Sequence, residues 1–314
     1  GGTGVLTEKI DAFVREHGGI VKTGTRVVSV DPEKQVLRDD KGADHAYADL
    51  IWAADLKSFY SMMDTASIRD AKIKMTVREK QESMKDLHGC DSIFTLYLAV
   101  DRKKEHFSAI CSEHFFYTPD RAGLSRADAG KVEQLMKDPA SLPLEASKKI
   151  VKSYLDDYFR YNTYEISMPV LRDATLAPEG KTGLIISTLF DHRLTKYIAD
   201  AGWYEEFKTY AEDAMIRTLE NSIFPGIGKD IEDRFSSTPL SLERYTGNTD
   251  GAITGWAFTN PRIPVVNKLT KMFYSADAPL PHVHQAGQWS YSPSGLPISV
   301  MTGKLAADKV LKGK

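Results

Sequence analysis

The chain has 314 residues, 42% hydrophobic and 27% charged, enough for two domains and a large core, and too ordinary a mixture for a disordered chain. A formal net charge of −2 and a pI near 6.5 leave no basic face for phosphate backbones, so no nucleic-acid partner is expected. No stretch reaches the ~18 consecutive apolar residues of a membrane span, no leader peptide is recognisable, and the two cysteines, Cys90 and Cys111, have no metal-ligand spacing; free thiols in a reducing, cytoplasmic setting are the expectation.

In chain order, Gly1-Gly2-Thr3-Gly4 leads into a predicted amphipathic helix with Leu6, Ile10, Phe13 and Val14 on one face, closed by Gly18-Gly19. Ile20-Val21-Lys22, Gly24 and residues 26–30 read as extended, 31–34 as a turn, 35–38 as a strand and 50–55 as a return strand. A polar helix is expected over 72–86. Residues 92–100 form a strand pattern, with Phe94, Leu96, Leu98 and Val100 at every even position. The charge run 101–105 reads as a solvated turn or, more weakly, a membrane-surface contact. Further strands are predicted over 114–118, 164–171 and 183–190, and helices over 146–158 and 203–222. Residues 123–143 form an exposed excursion or short helices. A mixed sheet with helices on one face fits this pattern.

The segment 236–258 carries Thr238-Pro239, Tyr245, Gly247, Gly251, Gly255 and Trp256. Its glycines allow a flat apolar ligand to approach the backbone, with Tyr245 or Trp256 stacking on it. Equally, it is a glycine-rich bend between two strands with its aromatics in a core. His282-Val283-His284 offers two imidazoles, but no third ligand has recognisable spacing, so no metal is expected. Asp191-His192-Arg193 comes without a nucleophile motif and reads as salt-bridged surface.

The last thirty residues are the most informative. Ala286-Gly287-Gln288-Trp289 ends a short apolar approach, Pro293-Ser294-Gly295-Leu296-Pro297 forms a loop, and a small-residue helix follows. A helix start there offers unpaired N–H groups and a positive dipole end to an electron-rich ligand, with Pro297 suited to the first turn and Ile298 supplying an N–H. This segment resembles the C-terminal flavin-binding motif of the phytoene desaturase, carotenoid isomerase and retinol saturase group, relatives of the flavin amine oxidases. The opening helix, "TGTRVVSV", a hairpin and "ADLIWAAD" look like the flavin-domain segment that precedes the substrate domain in that group. The "TP…Y…G…G…G" run is similar to the stretch lining its substrate tunnel.

The resemblance implies an α/β fold in which residues 1–57 and 265–314 form part of a Rossmann-like FAD-binding domain and 58–264 an inserted mixed-sheet substrate domain. It implies FAD contacts at Val27, Ala54, Gly287, Gln288, Gly295, Leu296, Pro297 and Ile298, substrate contacts at Tyr245, Gly255 and Trp256, and no single catalytic acid or base. The G-x-G-x-x-G turn that holds the pyrophosphate has no counterpart here. The chain is therefore expected to be the C-terminal part of a longer flavoprotein, binding FAD weakly or not at all by itself. Where many relatives carry an acidic residue after the motif glycine, this chain has Gln288, whose amide both donates and accepts. The implied activity is FAD-dependent desaturation, saturation or isomerisation of an apolar polyene, a carotenoid or retinoid, with peripheral membrane contact left open. The alternatives are a flavin amine or porphyrinogen oxidase, and a flavin-free module that binds an apolar ligand.

Overall fold

A computed structural model describes residues 2–312; Gly1, part of the glycine opening, lies outside the described residues. The chain has a mixed α/β fold and divides into two compact units, 1–19 with 93–240, and 20–92 with 241–314. Thus residues 58–92 and 241–264 pack with the segments expected to hold cofactor, and residues 1–19 with the insertion.

The first unit begins with α1 (Gly4–Glu16). It ends as the double glycine predicts: Gly18 sits at φ +79°, its N–H reaches the Arg15 carbonyl, and the Gly19 N–H reaches that of Val14, the paired bonds of a left-handed helix stop. The amphipathic face is present but uncovered. No residue of α1 is buried, and Phe13 is 60% exposed.

The body of this unit is a five-stranded sheet. In chain order its strands are β5 (Ser92–Val100), β6 (His114–Tyr117), β7 (Tyr164–Ser167), β8 (Thr182–Phe190) and β9 (Ile231–Ser237). Their order across the sheet is β6-β7-β8-β5-β9, with β6–β7, β7–β8 and β5–β9 antiparallel. The even positions of β5 are buried as predicted. They pack against α6 (Leu144–Tyr161), α7 (His192–Asp200) and α8 (Tyr204–Glu220) through Phe159, Leu194, Phe207 and Met215. Phe94 centres this core, its ring 6.1 Å from Phe159, 5.9 Å from Phe190 and 6.0 Å from Phe207, spacings at which aromatic edges and faces attract.

The observed elements depart from expectation at several points. The predicted third strand stops at Ser167 because Pro169 opens a single tight turn. The charge run is exposed at Asp101, Lys103 and Glu105, as a solvated turn requires, while Arg102 is anchored, its Nε donating to Asp230 Oδ2 at 2.6 Å, and α4 (Lys104–Ser108) follows with Phe107 buried. Strand β9 is not among the predicted strands. The excursion resolves into a 3₁₀ turn and α5 (Gly130–Lys137), and Asp191 both caps α7 and pairs with Arg193 at 2.8 Å.

The second unit holds two small sheets. β1 (Val27–Asp31), β2 (Val36–Asp39) and β3 (Asp44–Ala46) form an antiparallel meander; residues 20–26, expected to be extended, lie outside any strand. β4 (Leu50–Trp52) pairs in parallel with β10 (Val283–Gln285), Leu50 opposite Val283 and Trp52 opposite Gln285. The return strand is shorter than predicted because Asp55 turns the chain into α2 (Leu56–Ser61), accepting the Ser58 N–H at 2.6 Å. α3 (Ala71–Met84), capped by Asp70, covers this core. Residues 88–92 lace to 251–257 by backbone bonds, among them Cys90 N–H to the Gly255 carbonyl at 2.7 Å and Ala257 N–H to that of His88 at 3.0 Å.

Candidate functional site

Parallel strands bind ligands beyond their carboxyl ends, where the chain leaves the sheet and backbone groups are free. In the second unit those ends are Ala53-Ala54 after β4 and Ala286-Gly287-Gln288 after β10. The Ala286 N–H bonds the Trp52 carbonyl at 2.9 Å, holding the two exits side by side. Gly287 is at φ +81°, and a Cβ there would lie 3.2 Å from the Ala53 carbonyl oxygen. A side chain at this position would therefore be strained and would crowd the neighbouring strand exit. The Gly287 N–H donates to Thr302 Oγ1 at 2.9 Å; Thr302 is fully buried on α10 (Leu296–Lys312), so the helix is pinned to the glycine turn.

The first backbone bond of α10 runs from Ser299 N–H to the Gly295 carbonyl at 2.9 Å. The N–H groups of Leu296 and Ile298 precede it and have no intrahelical acceptor, while Pro297 has no N–H to leave unpaired. This end faces outward: Gly295, Leu296 and Pro297 are exposed, Leu296 to 62%. Val300 and Met301 continue an uncovered apolar surface along the first turns. Backbone donors, a positive helix end and adjoining apolar side chains suit a flat, electron-rich ligand.

The other expected residues are distributed as follows. Ala54 is exposed at the β4 exit. Gln288 is partly buried, its amide donating to the Ala252 carbonyl at 3.2 Å. Val27 stands on β1 opposite Asp39, partly buried. Trp256 is fully buried, its ring 5.0 Å from that of Trp289 at 85° and its N–H donating to the Trp289 carbonyl at 3.2 Å. This is the core arrangement of the two weighed above, because no face of the indole is open. Gly255, at φ +88°, is accounted for by backbone: a Cβ there would sit 2.3 Å from the Gln288 carbonyl oxygen. Tyr245, on α9 (Pro239–Thr246), is 80% exposed with Arg244 beside its ring; this helix occupies part of the stretch 236–258 that was read as a bend.

Sequence reasoning missed the positioning residues. Asp55 is buried and uses its second oxygen to accept the Thr249 N–H at 2.8 Å. Asn248 accepts the Trp289 N–H at 3.0 Å. Asp55 three residues before Ser58 is a helix-cap spacing that would have disclosed α2. Also missed was an apolar cleft of about 370 Å³ in the first unit, on the sheet face away from the helices, lined by Tyr97, Ala99, Val170, Leu176, Ile185 and Phe235. The rings of Tyr97 and Phe235 stack there at 4.5 Å and 11°. Among the described residues no group of three His, Cys, Asp or Glu could hold a metal, and no helix is long and apolar enough to cross a membrane.

No family model matches the chain, and no curated protein gives a significant match. Among solved structures it is similar to an oxidoreductase from Methanosarcina mazei, at 12% identity and a TM-score of 0.49 over 97% of this chain and 53% of that one. It is similar to reduced UDP-galactopyranose mutase, at 12% identity and a TM-score of 0.46 over 76% of this chain and 38% of that one. It is also similar to a triple mutant from a redesign of cofactor binding in putrescine oxidase, at 10% identity and a TM-score of 0.49 over 96% and 51%. The chain therefore spans between 38% and 53% of the length of these structures.

Proposed function

We propose that this chain forms the ring-binding and substrate-binding parts of an FAD-dependent oxidoreductase of the flavin amine oxidase superfamily, acting on an apolar, polyene-type substrate. The observation that carries the reading is the meeting of the β4 and β10 exits, the Gly287 turn and the exposed start of α10. The fit is specific to the ring end of the cofactor. Gly287 leaves the strand exits uncrowded, and Leu296 and Ile298 hold free N–H groups. By contrast, Gly2 and Gly4 flank a helix start rather than a strand-to-helix phosphate turn, so the described residues supply no pyrophosphate cradle.

Bound at this site, a flavin supplies two-electron chemistry at a C–H or C=C bond of the substrate. The protein's own part is electrostatic and steric. The α10 N-terminus would stabilise negative charge developing on a ring held there, and the exposed Leu296, Val300 and Met301 would offer it apolar surface. The cleft over Tyr97, Ile185 and Phe235 supports an apolar substrate, because its walls offer hydrocarbon and aromatic faces. The uncovered Leu6, Ile10 and Phe13 of α1 support peripheral contact with the membrane in which such substrates dissolve.

The test uses Leu296→Glu and riboflavin fluorescence. A carboxylate at an exposed helix start stabilises the helix itself, by about 0.3–1 kcal/mol, yet it repels an electron-rich ring edge. The expected result is an unchanged or higher melting temperature with riboflavin affinity lowered at least about tenfold, or roughly 1.4 kcal/mol. Undiminished riboflavin binding by the variant would overturn the assignment.

A further inference from the structure

The second unit contains a cavity of about 380 Å³ that shares no lining residue with the proposed ring site. Lys80, on α3, and Lys268 and Lys271, in and beside the 3₁₀ turn Leu269–Ala276, converge on it, together with Asn267, Tyr274 and Gln285. Among the described residues no carboxylate pairs with any of the three ammonium groups. The acidic residue on the rim, Asp277, is held by Lys309 at 2.6 Å, which leaves the cavity with an uncompensated positive charge. Lys80 is partly buried. Burial and the neighbouring Arg262 hold its ammonium below the ordinary lysine range, the condition of a cation lacking its counter-ion. Gln285, buried at the floor, spends its amide N–H on the Ser275 carbonyl at 3.0 Å, and its oxygen accepts no bond among the described residues. The remaining walls are apolar, chiefly Leu56, Val265 and Pro279.

We propose that this cavity binds a small dianion carrying an apolar group, of the organic phosphate monoester type. Three separate ammonium donors match a tetrahedral dianion better than a planar carboxylate, since lysine acts as a point charge without the bidentate geometry of arginine. The hydrocarbon walls take the organic part, and the volume is that of a small-molecule site.

The probe is phenyl phosphate, titrated calorimetrically into the intact chain beside the neutral benzyl alcohol. Phenyl phosphate is expected to bind at least tenfold more tightly than the alcohol. The double substitution Lys268→Gln and Lys271→Gln, at exposed positions that spare the core, is expected to lower its affinity at least tenfold; Lys80→Met is expected to do the same while retaining the far-ultraviolet dichroism of the parent. Lys149→Gln, an exposed lysine of the other unit, is expected to change nothing. Equal binding of the alcohol, indifference to the double substitution, or an equal loss with Lys149→Gln would overturn the site. Competition by FAD would merge it with the cofactor site and overturn its assignment as a separate one.

Discussion

Replacing Gly255 by alanine tests whether this glycine serves a backbone approach rather than a ligand. Gly255 sits at φ +88° with its Cβ position 2.3 Å from the Gln288 carbonyl oxygen, so the carbonyl must retreat by about an ångström to reach contact distance. That carbonyl is not free to move. The Gln288 amide is tied to Ala252 and the next residue, Trp289, to Asn248, while Gly255 itself accepts the Cys90 N–H at 2.7 Å. The left-handed backbone alone costs a side chain roughly 1–2 kcal/mol, and disturbing one or two of these bonds adds about 1 kcal/mol each. The expected loss is about 3 kcal/mol in urea denaturation. Gly42→Ala is the control, because Gly42 has nearly the same φ, +83°, with nothing within 4 Å of its Cβ position; only the backbone part, roughly 1–2 kcal/mol, is expected there. Equal losses for the two variants would refute the close-approach argument.

Asp39 accepts the N–H groups of Lys41 and Ala43 and lies 2.8 Å from His45 Nε2, and the histidine contact first, then the backbone donors, pull its carboxyl down to about 2. A depressed folded-state value stabilises the fold above the unfolded value near about 4 and ceases to do so as pH falls through about 2. Melting temperatures of the parent are therefore expected to fall across that window with a component that Asp39→Asn removes; identical acid limbs would contradict this. Asp55→Asn keeps one acceptor but turns an NH₂ toward either Ser58 N–H or Thr249 N–H, and a loss of about 1–3 kcal/mol is expected by chemical denaturation. A neutral result would remove Asp55 from the scaffold behind the site.

The large periodic elements were legible because their signals are local. The even-position apolar run of β5, the long α8 and the double-glycine stop of α1 each follow from residues within one segment. β9 was hidden because Glu232, Asp233 and Arg234 give an edge strand its charges and blur its alternation. α2 was hidden because Asp55 was read as the end of a strand rather than as a cap. Trp256 shows a different limit. An aromatic beside glycines reads the same whether the glycine admits a ligand or another backbone, and only the fold reveals that Gln288 occupies the space. Residues 287–298, the proposed ring site, were legible as a glycine turn feeding a helix start, while Thr302, which pins the two together, looked like one more small residue on a helix.

The most direct measurement is the change in backbone amide NMR shifts when riboflavin is added to the chain. The account predicts the largest shifts at Gly287, Gly295, Leu296 and Ile298, with Gly42 and the β2–β3 turn unmoved. Saturating riboflavin that leaves these amides unshifted, or shifts concentrated on other segments, would contradict it.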